Sequence, residues 1–180
     1  MKIFVSHSIR DKKLINDLKA SLEPQGLTLL IAEHHSDIEF ATITEKIEKL
    51  ILNCDVALIL LTDNGFNSNF VQQEIGYVKS LNKPFLQVIE KGLEKKITGF
   101  NFGKGYIEYC HNESQITIDK IKMYLLNYFN QIEQMKKERI RKEHSKQLQL
   151  LLQQQKEKEQ AMKVGLGILA GVLVLGMLGD

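Results

Sequence analysis

One stretch constrains the fold more than any other: the six consecutive apolar residues 56–61, V-A-L-I-L-L. A continuous apolar run of this length, without polar alternation, is typical of a strand buried on both faces of a parallel sheet. A polar turn follows, and then Val71, Ile75 and Val78 recur at the spacing of one helix face. The stretch therefore predicts a central strand followed by a helix, with Glu74 beside the buried face of that helix. In open α/β sheets, ligands bind at the carboxyl ends of the strands, where this glutamate is expected to lie.

The rest of the chain predicts a regular alternation of strands and helices. Ser8 with Asp11, and Thr42 with Glu45, form capping-box patterns that predict two helix starts. Short β-branched and apolar runs predict the other strands, at 2–5, 27–32, 84–89 and 106–109. This alternation predicts an α/β fold: a flavodoxin-like, five-stranded parallel sheet with helices on both faces.

Charge is distributed unevenly along the chain of 180 residues. Residues 1–129 contain 15 Lys and Arg against 16 Asp and Glu, whereas residues 130–163 contain nine against five. A nearly neutral globular part gives no electrostatic reason to expect nucleic-acid binding. The basic excess next to an apolar carboxyl terminus indicates a membrane partner instead.

The usual cofactor and metal signatures do not occur in the sequence. There is no glycine-rich dinucleotide loop, Walker loop or zinc-protease motif, so no cofactor is expected. His34 and His35 are adjacent and have no third ligand nearby, so no metal site is expected. Cys54 and Cys110 have neither a CxxC nor a metal-ligand spacing, and we interpret them as reduced thiols of a cytosolic protein.

A long carboxyl-terminal helix is predicted from Ser114 onward, because the chain contains no Gly or Pro from there to Gly165. Apolar residues keep a spacing of three or four as far as Met135 and then give way to charged residues, among them Arg139. We therefore expect residues 130–163 to form a charged helical linker that pairs weakly with copies of itself, at most a weak coiled coil.

Residues 164–179 are sixteen uncharged, mostly apolar residues. This length is near the lower limit for a membrane-spanning helix. Gly167 and Gly171 have the GxxxG spacing of closely packed transmembrane helices, and lysines occur only before the segment. The pattern predicts a tail anchor in the inner membrane that leaves the globular domain in the cytoplasm. The alternative is an apolar tail that plugs an oligomer.

Two motifs carry a family resemblance. The octapeptide 70–77, F-V-Q-Q-E-I-G-Y, follows the buried strand, and K-I-F-V-S-H-S-x-x-D occupies residues 2–11. Together they resemble the TIR (Toll/interleukin-1 receptor) domain of the prokaryotic type, over residues 1–129. The resemblance implies the same fold. It also implies that Glu74, four residues after the aromatic Phe70, takes the position of the catalytic glutamate of the TIR domains that cleave NAD+.

The chemistry fits this assignment. Breaking the N-glycosidic bond to nicotinamide develops oxocarbenium charge on the ribose, which a fixed carboxylate stabilises. The resemblance assigns Glu74 as the catalytic residue. The predicted substrate-binding residues are Ser6, His7, Arg10, Phe70, Thr62 and Phe40.

The loop 33–41 corresponds to the BB loop of the family, which docks on a neighbouring protomer and completes the active site. The Pro-Gly common in that loop is replaced here by I-E-F-A at 38–41, which changes the expected loop conformation.

The function expected from the resemblance is that of an NAD+ nucleosidase that produces ADP-ribose or a cyclic or conjugated form of it. It would act on self-assembly, in prokaryotic anti-phage defence. Two alternatives remain open: a non-enzymatic scaffold that acts through TIR–TIR contacts, and a membrane-disrupting effector that its TIR domain clusters.

Overall fold

The computed structural model describes residues 1–32, 40–96 and 105–177. Its five strands form one parallel sheet in the order β2-β1-β3-β4-β5. The strands are β1 (Lys2–Ser6), β2 (Thr28–Leu30), β3 (Val56–Leu61), β4 (Phe85–Glu90) and β5 (Tyr106–Tyr109). The helices are α1 (Lys12–Leu22), α2 (Phe40–Asn53), α3 (Asp63–Phe66), α4 (Asn69–Ser80) and α5 (Ser114–Met177). This is the flavodoxin-like topology, and the predicted fold class is confirmed.

The central strand is β3, as the apolar run predicted. All six of its residues are buried, and it pairs with β1 on one side and β4 on the other. Its alternate residues pack into different layers of the core: Leu58 packs on one face of the sheet, while Ala57 and Ile59 pack on the other. Helices α1 and the start of α5 cover the first face, and α2 and α4 cover the second.

Two element boundaries differ from the prediction. Strand β2 is three residues long rather than six, because it is an edge strand that pairs only with β1. Leu27 and Ala32, just outside it, are still buried, which explains why the apolar run was longer than the strand. Helix α2 begins at Phe40, so Thr42 is not its N-cap and the predicted capping box with Glu45 is wrong.

The other predicted capping box also differs from the structure. Ser8 caps only a short 3₁₀ turn, Ile9–Asp11, by accepting a hydrogen bond from the backbone N–H of Arg10. The carboxylate of Asp11 is buried and accepts hydrogen bonds from two side chains that follow β3. Tertiary hydrogen bonds have therefore replaced the local one that the sequence pattern predicted.

The chain divides into two compact units, Met1–Phe129 and Asn130–Asp180. In the first unit, Ile118, Ile121 and Leu125 of α5 are buried in the core, as predicted. In the second unit, Met135 and the leucines near residue 150 are exposed. Within the described residues, no helix is both long enough and apolar enough to cross a membrane, so the predicted tail anchor at 164–179 is not supported.

Candidate functional site

Helix α4 holds Glu74 at the edge of the core. The hydroxyl of Ser68 caps the helix by accepting a hydrogen bond from the backbone N–H of Val71. Val71, Ile75 and Val78 are buried against the sheet, as their spacing predicted. Glu74 lies beside this face and is only 5% exposed, which is unusual for a glutamate on a surface helix.

A hydrogen bond joins Glu74 to the end of β1, the strand that pairs with the central strand β3. The hydroxyl of Ser6, the last residue of β1, donates to Oε2 of Glu74 at 2.5 Å, and Ser6 itself is fully buried. Burial raises the pKa of Glu74 from its usual 4.5 to about 7, and the hydrogen bond from Ser6 partly opposes that rise. Strand β1 and helix α4 thus meet at a buried carboxyl group whose protonation changes near neutral pH.

Glu74 opens onto a cleft of about 210 Å³ between α2 and α4. Each helix contributes one stripe of side chains. The lining residues are Thr44, Ile47 and Glu48 from α2, and Phe70, Gln73, Glu74 and Tyr77 from α4. The α2 residues were not among the predicted site residues. Their spacing of three and four marks one helix face, but only the packing of α2 against α4 shows that this face meets Glu74.

His7 follows Ser6 directly and is half-buried. Its Nδ1 lies 3.0 Å from the carbonyl oxygen of Val5, and donation from Nδ1–H to this oxygen fixes the ring and leaves Nε2 as the acceptor. Burial lowers the pKa of His7, while the Val5 carbonyl and the charge of Asp11 oppose the change. The ring of His7 is therefore held by its own backbone at the start of the loop that follows Ser6.

Thr62 belongs to a separate hydrogen-bonded network. Its hydroxyl donates to Oδ2 of Asp11 at 2.7 Å and accepts from the backbone N–H of Gly65 at 2.9 Å. The side chain of Asn64 donates to Oδ1 of Asp11 at 2.9 Å. Thr62 is only 3% exposed. Its hydrogen bonds join the loop after β1 to the turn after β3.

The structure brings some of the predicted site residues together and not others. Glu74 contacts Ser6 and shares the cleft with Phe70, whereas Arg10 is exposed on the loop after β1. The side chain of Phe40 and the loop 33–39 lie outside the described residues. In the part of the chain that the structure describes, no group of three or more His, Cys, Asp or Glu side chains is placed to hold a metal ion.

Comparison with known protein families identifies the class to which the chain belongs. The family model described as "TIR domain" matches residues 3–121. The chain therefore belongs to the TIR domain family. None of the curated proteins matches it.

Solved structures show the same fold at low sequence identity. A CMP N-glycosidase, BcmB, from Clostridium botulinum is 19% identical with a TM-score of 0.56, over 69% of this chain and 99% of that one. The TIR domain of the Toll-related receptor TRR-2 from Hydra magnipapillata is 17% identical with a TM-score of 0.53, over 73% of this chain and 97% of that one.

Proposed function

We propose that this protein is a nucleosidase that cleaves the N-glycosidic bond between nicotinamide and ribose in NAD+. The observation that carries the proposal is the buried carboxylate of Glu74, held by Ser6 at the carboxyl end of β1 and open to a cleft. The family resemblance supports it, because it assigns Glu74 to the position of the catalytic glutamate of NAD+-cleaving TIR domains. The similar fold of a protein named as a CMP N-glycosidase also supports base–ribose cleavage.

The reaction needs charge stabilisation more than acid–base chemistry. As the bond between the ribose C1′ and the pyridinium nitrogen breaks, its electron pair goes to nicotinamide, which leaves as a neutral molecule. Positive charge develops on the ribose, and the Glu74 carboxylate stabilises it by charge and by accepting hydrogen bonds from the ribose hydroxyls. Water then adds to C1′ and releases a proton, which gives ADP-ribose.

The protonation state of Glu74 is matched to a cationic substrate. With a pKa of about 7, the carboxyl group of the free protein is partly protonated at neutral pH. A pyridinium cation bound nearby favours the charged carboxylate, and so does the hydrogen bond that Ser6 donates. Binding of NAD+ would therefore complete the ionisation that catalysis requires.

The product and the setting of the reaction are further parts of the proposal. A hydroxyl or amine of another molecule in place of water would give a cyclic or conjugated ADP-ribose. TIR domains generally self-associate, so we infer that turnover depends on contact between copies of the chain. A role in anti-phage defence would appear as lower phage yield in cells that express the active protein than in cells that express the Glu74→Gln variant.

The direct test is incubation of concentrated full-length protein with NAD+, followed by mass spectrometry of the products. We expect nicotinamide release by the wild-type protein and a loss of about 100-fold or more in Glu74→Gln, since the main electrostatic stabilisation is removed. Glu45→Gln, an exposed glutamate on α2 outside the cleft, is the matched control and should keep full activity. Circular dichroism checks that each variant is folded.

Two outcomes would contradict the proposal. Full activity in folded Glu74→Gln would exclude this carboxylate as the catalytic group. A folded wild-type protein that releases no nicotinamide at any concentration would leave the scaffold function, which acts through TIR–TIR contacts alone.

A further inference from the structure

The cleft contains a second carboxylate, that of Glu48. Glu48 is half-buried on α2 and lines the cleft opposite the α4 stripe that includes Glu74. The mechanism proposed above does not use it. It therefore adds a second acidic side chain to the lining of the cleft.

The rest of the lining has one chemical character. Phe70 and Tyr77 are spaced seven residues apart on α4, so their aromatic rings lie on the same stripe as Glu74. Thr44, Ile47 and Gln73 complete the lining and are uncharged. Among the described residues that line the cleft, none is Lys, Arg or His. The described walls therefore combine two carboxylates with two aromatic rings and carry no positive charge.

Such walls favour a cation over an anion. Aromatic faces attract cations through the negative face of the ring, and carboxylates attract them directly. The same carboxylates repel phosphate. A flat cationic ring that can lie against Phe70 and Tyr77 fits this chemistry better than a neutral ring of the same shape.

We propose that Glu48 is a specificity-determining residue that makes the cleft select a pyridinium cation over the corresponding neutral ring. The inference rests on the proposed function, because it assigns the cleft to the nicotinamide end of NAD+ and leaves the diphosphate outside it. Glu74 then stabilises the reaction, while Glu48 sets the charge preference of binding. Nucleotides with neutral bases would be poor substrates for this reason.

The test compares two small ligands on full-length protein: 1-methylnicotinamide, which is a cation, and nicotinamide, which is neutral and has the same ring. Their dissociation constants are measured by isothermal titration calorimetry at low salt, on the wild-type protein and on two variants. Glu48→Gln removes the charge at nearly constant shape. Glu45→Gln removes an exposed charge three residues earlier on the same helix, outside the cleft, and controls for long-range effects.

We expect the wild-type protein to prefer the cation. Glu48→Gln should weaken binding of the cation by about tenfold, the scale of one partly desolvated cation contact, and should change binding of nicotinamide little. Glu45→Gln should leave both constants unchanged. With NAD+ as substrate, Glu48→Gln should raise KM while kcat stays nearly constant, because a binding interaction has been removed.

The inference is overturned if the wild-type protein does not prefer the cation, or if Glu48→Gln leaves the ratio of the two dissociation constants unchanged. The ligand measurement needs no turnover, so the two proposals can fail separately. A cation preference that depends on Glu48, in a protein that does not cleave NAD+, would refute the nucleosidase and support the cleft assignment. NAD+ cleavage with an unchanged KM in Glu48→Gln would refute the role of Glu48 alone.

Discussion

The carboxyl group of Glu74 experiences two opposing influences. Burial beside the apolar face of α4 disfavours the charged form of this group, whereas the hydrogen bond from the hydroxyl of Ser6 favours the charged form. Burial is the larger of the two, so the pKa rises to about 7. A group that changes charge near neutral pH makes the stability of this protein depend on pH in that range, and it would do the same for the proposed activity.

The first prediction concerns the pH dependence of activity. Because the proposed mechanism needs ionised Glu74, kcat/KM for NAD+ should fall as the pH drops below about 7. Ser6→Ala removes the hydrogen bond that lowers this pKa, so the acid limb of the profile should move to higher pH. Ser80→Ala, at the exposed end of the same helix, should leave the limb in place. An acid limb that does not move in Ser6→Ala would show that another group controls it.

The second prediction concerns stability. The folded-state pKa of Glu74, about 7, is raised above its ordinary value of 4.5, so the stability that protonation provides is present below pH 4.5 and is lost as the pH rises through 7. Glu74→Gln stays neutral and avoids this loss. Its free energy of unfolding relative to wild type should therefore increase by roughly 2–3 kcal/mol between about pH 5 and about pH 8.

Urea denaturation at several pH values measures this difference. Glu45→Gln is the control, because an exposed glutamate should show little change over the same range. If the difference between Glu74→Gln and wild type stays constant with pH, the pKa of Glu74 is not raised in the folded protein.

At the residue scale, the sequence predicted the catalytic candidate but not its surroundings. The place of Glu74 beside Ile75 followed from helix periodicity, since the buried face could be read from the apolar spacing. Its bond to Ser6 could not be predicted, because the two residues are 68 positions apart and meet only through the pairing of β1 with β3 and the packing of α4. Glu48 was missed for the same reason.

At the scale of elements, hydrogen bonds to one buried side chain join two loops at the carboxyl edge of the sheet. Asp11 ends the loop that begins at His7, and its two carboxylate oxygens accept hydrogen bonds from Thr62 and Asn64, which follow β3. Thr62 also caps α3 by accepting from Gly65. The arrangement fixes the first loop, which includes His7, against the central strand.

The third prediction tests this connection. Thr62→Val keeps the shape of the side chain but leaves one oxygen of buried Asp11 and the N–H of Gly65 without their partner. The free energy of unfolding should fall by roughly 1–3 kcal/mol, the usual cost of unpaired buried polar groups. Thr28→Val, the same change at an exposed position of edge strand β2, should have little effect. Equal urea midpoints for the two variants would mean that the Asp11 network does not stabilise the fold.

The elements themselves were largely predictable, and their ends were not. Strands β1, β3 and β5 and the start of α5 lie within a residue of their predicted positions, because continuous apolar runs and punctuation by Gly and Pro are local signals. The end of β2 depends on pairing with a single neighbouring strand. The start of α2 depends on the loop before it, whose sequence does not mark clearly where the loop ends and the helix begins. Such boundaries are set by tertiary contacts, which a local pattern does not contain.

At the scale of the whole molecule, the core and the candidate site belong to one compact unit. Every residue of the three buried apolar clusters, and every residue that lines the Glu74 cleft, lies within Met1–Phe129. None of the described residues of the second unit, Asn130–Asp180, is among them. The described leucines of this unit, Leu148 and Leu150 to Leu152, are exposed. Exposed apolar side chains on a helix gain stability by packing against another surface, and a second copy of the chain is one such surface.

The fourth prediction follows from this division. A protein truncated after Phe129 should fold with the same urea midpoint as the full-length chain, because all three buried clusters are retained. Its NAD+ turnover per molecule should fall more steeply on dilution over about a hundredfold range, because copies that are no longer held together by residues 130–177 meet only by diffusion. Turnover and sedimentation velocity, measured on both proteins at each concentration, separate loss of assembly from loss of folding. Identical dilution curves would show that the second unit does not bring copies together, and that any contact needed for activity resides in the TIR domain alone.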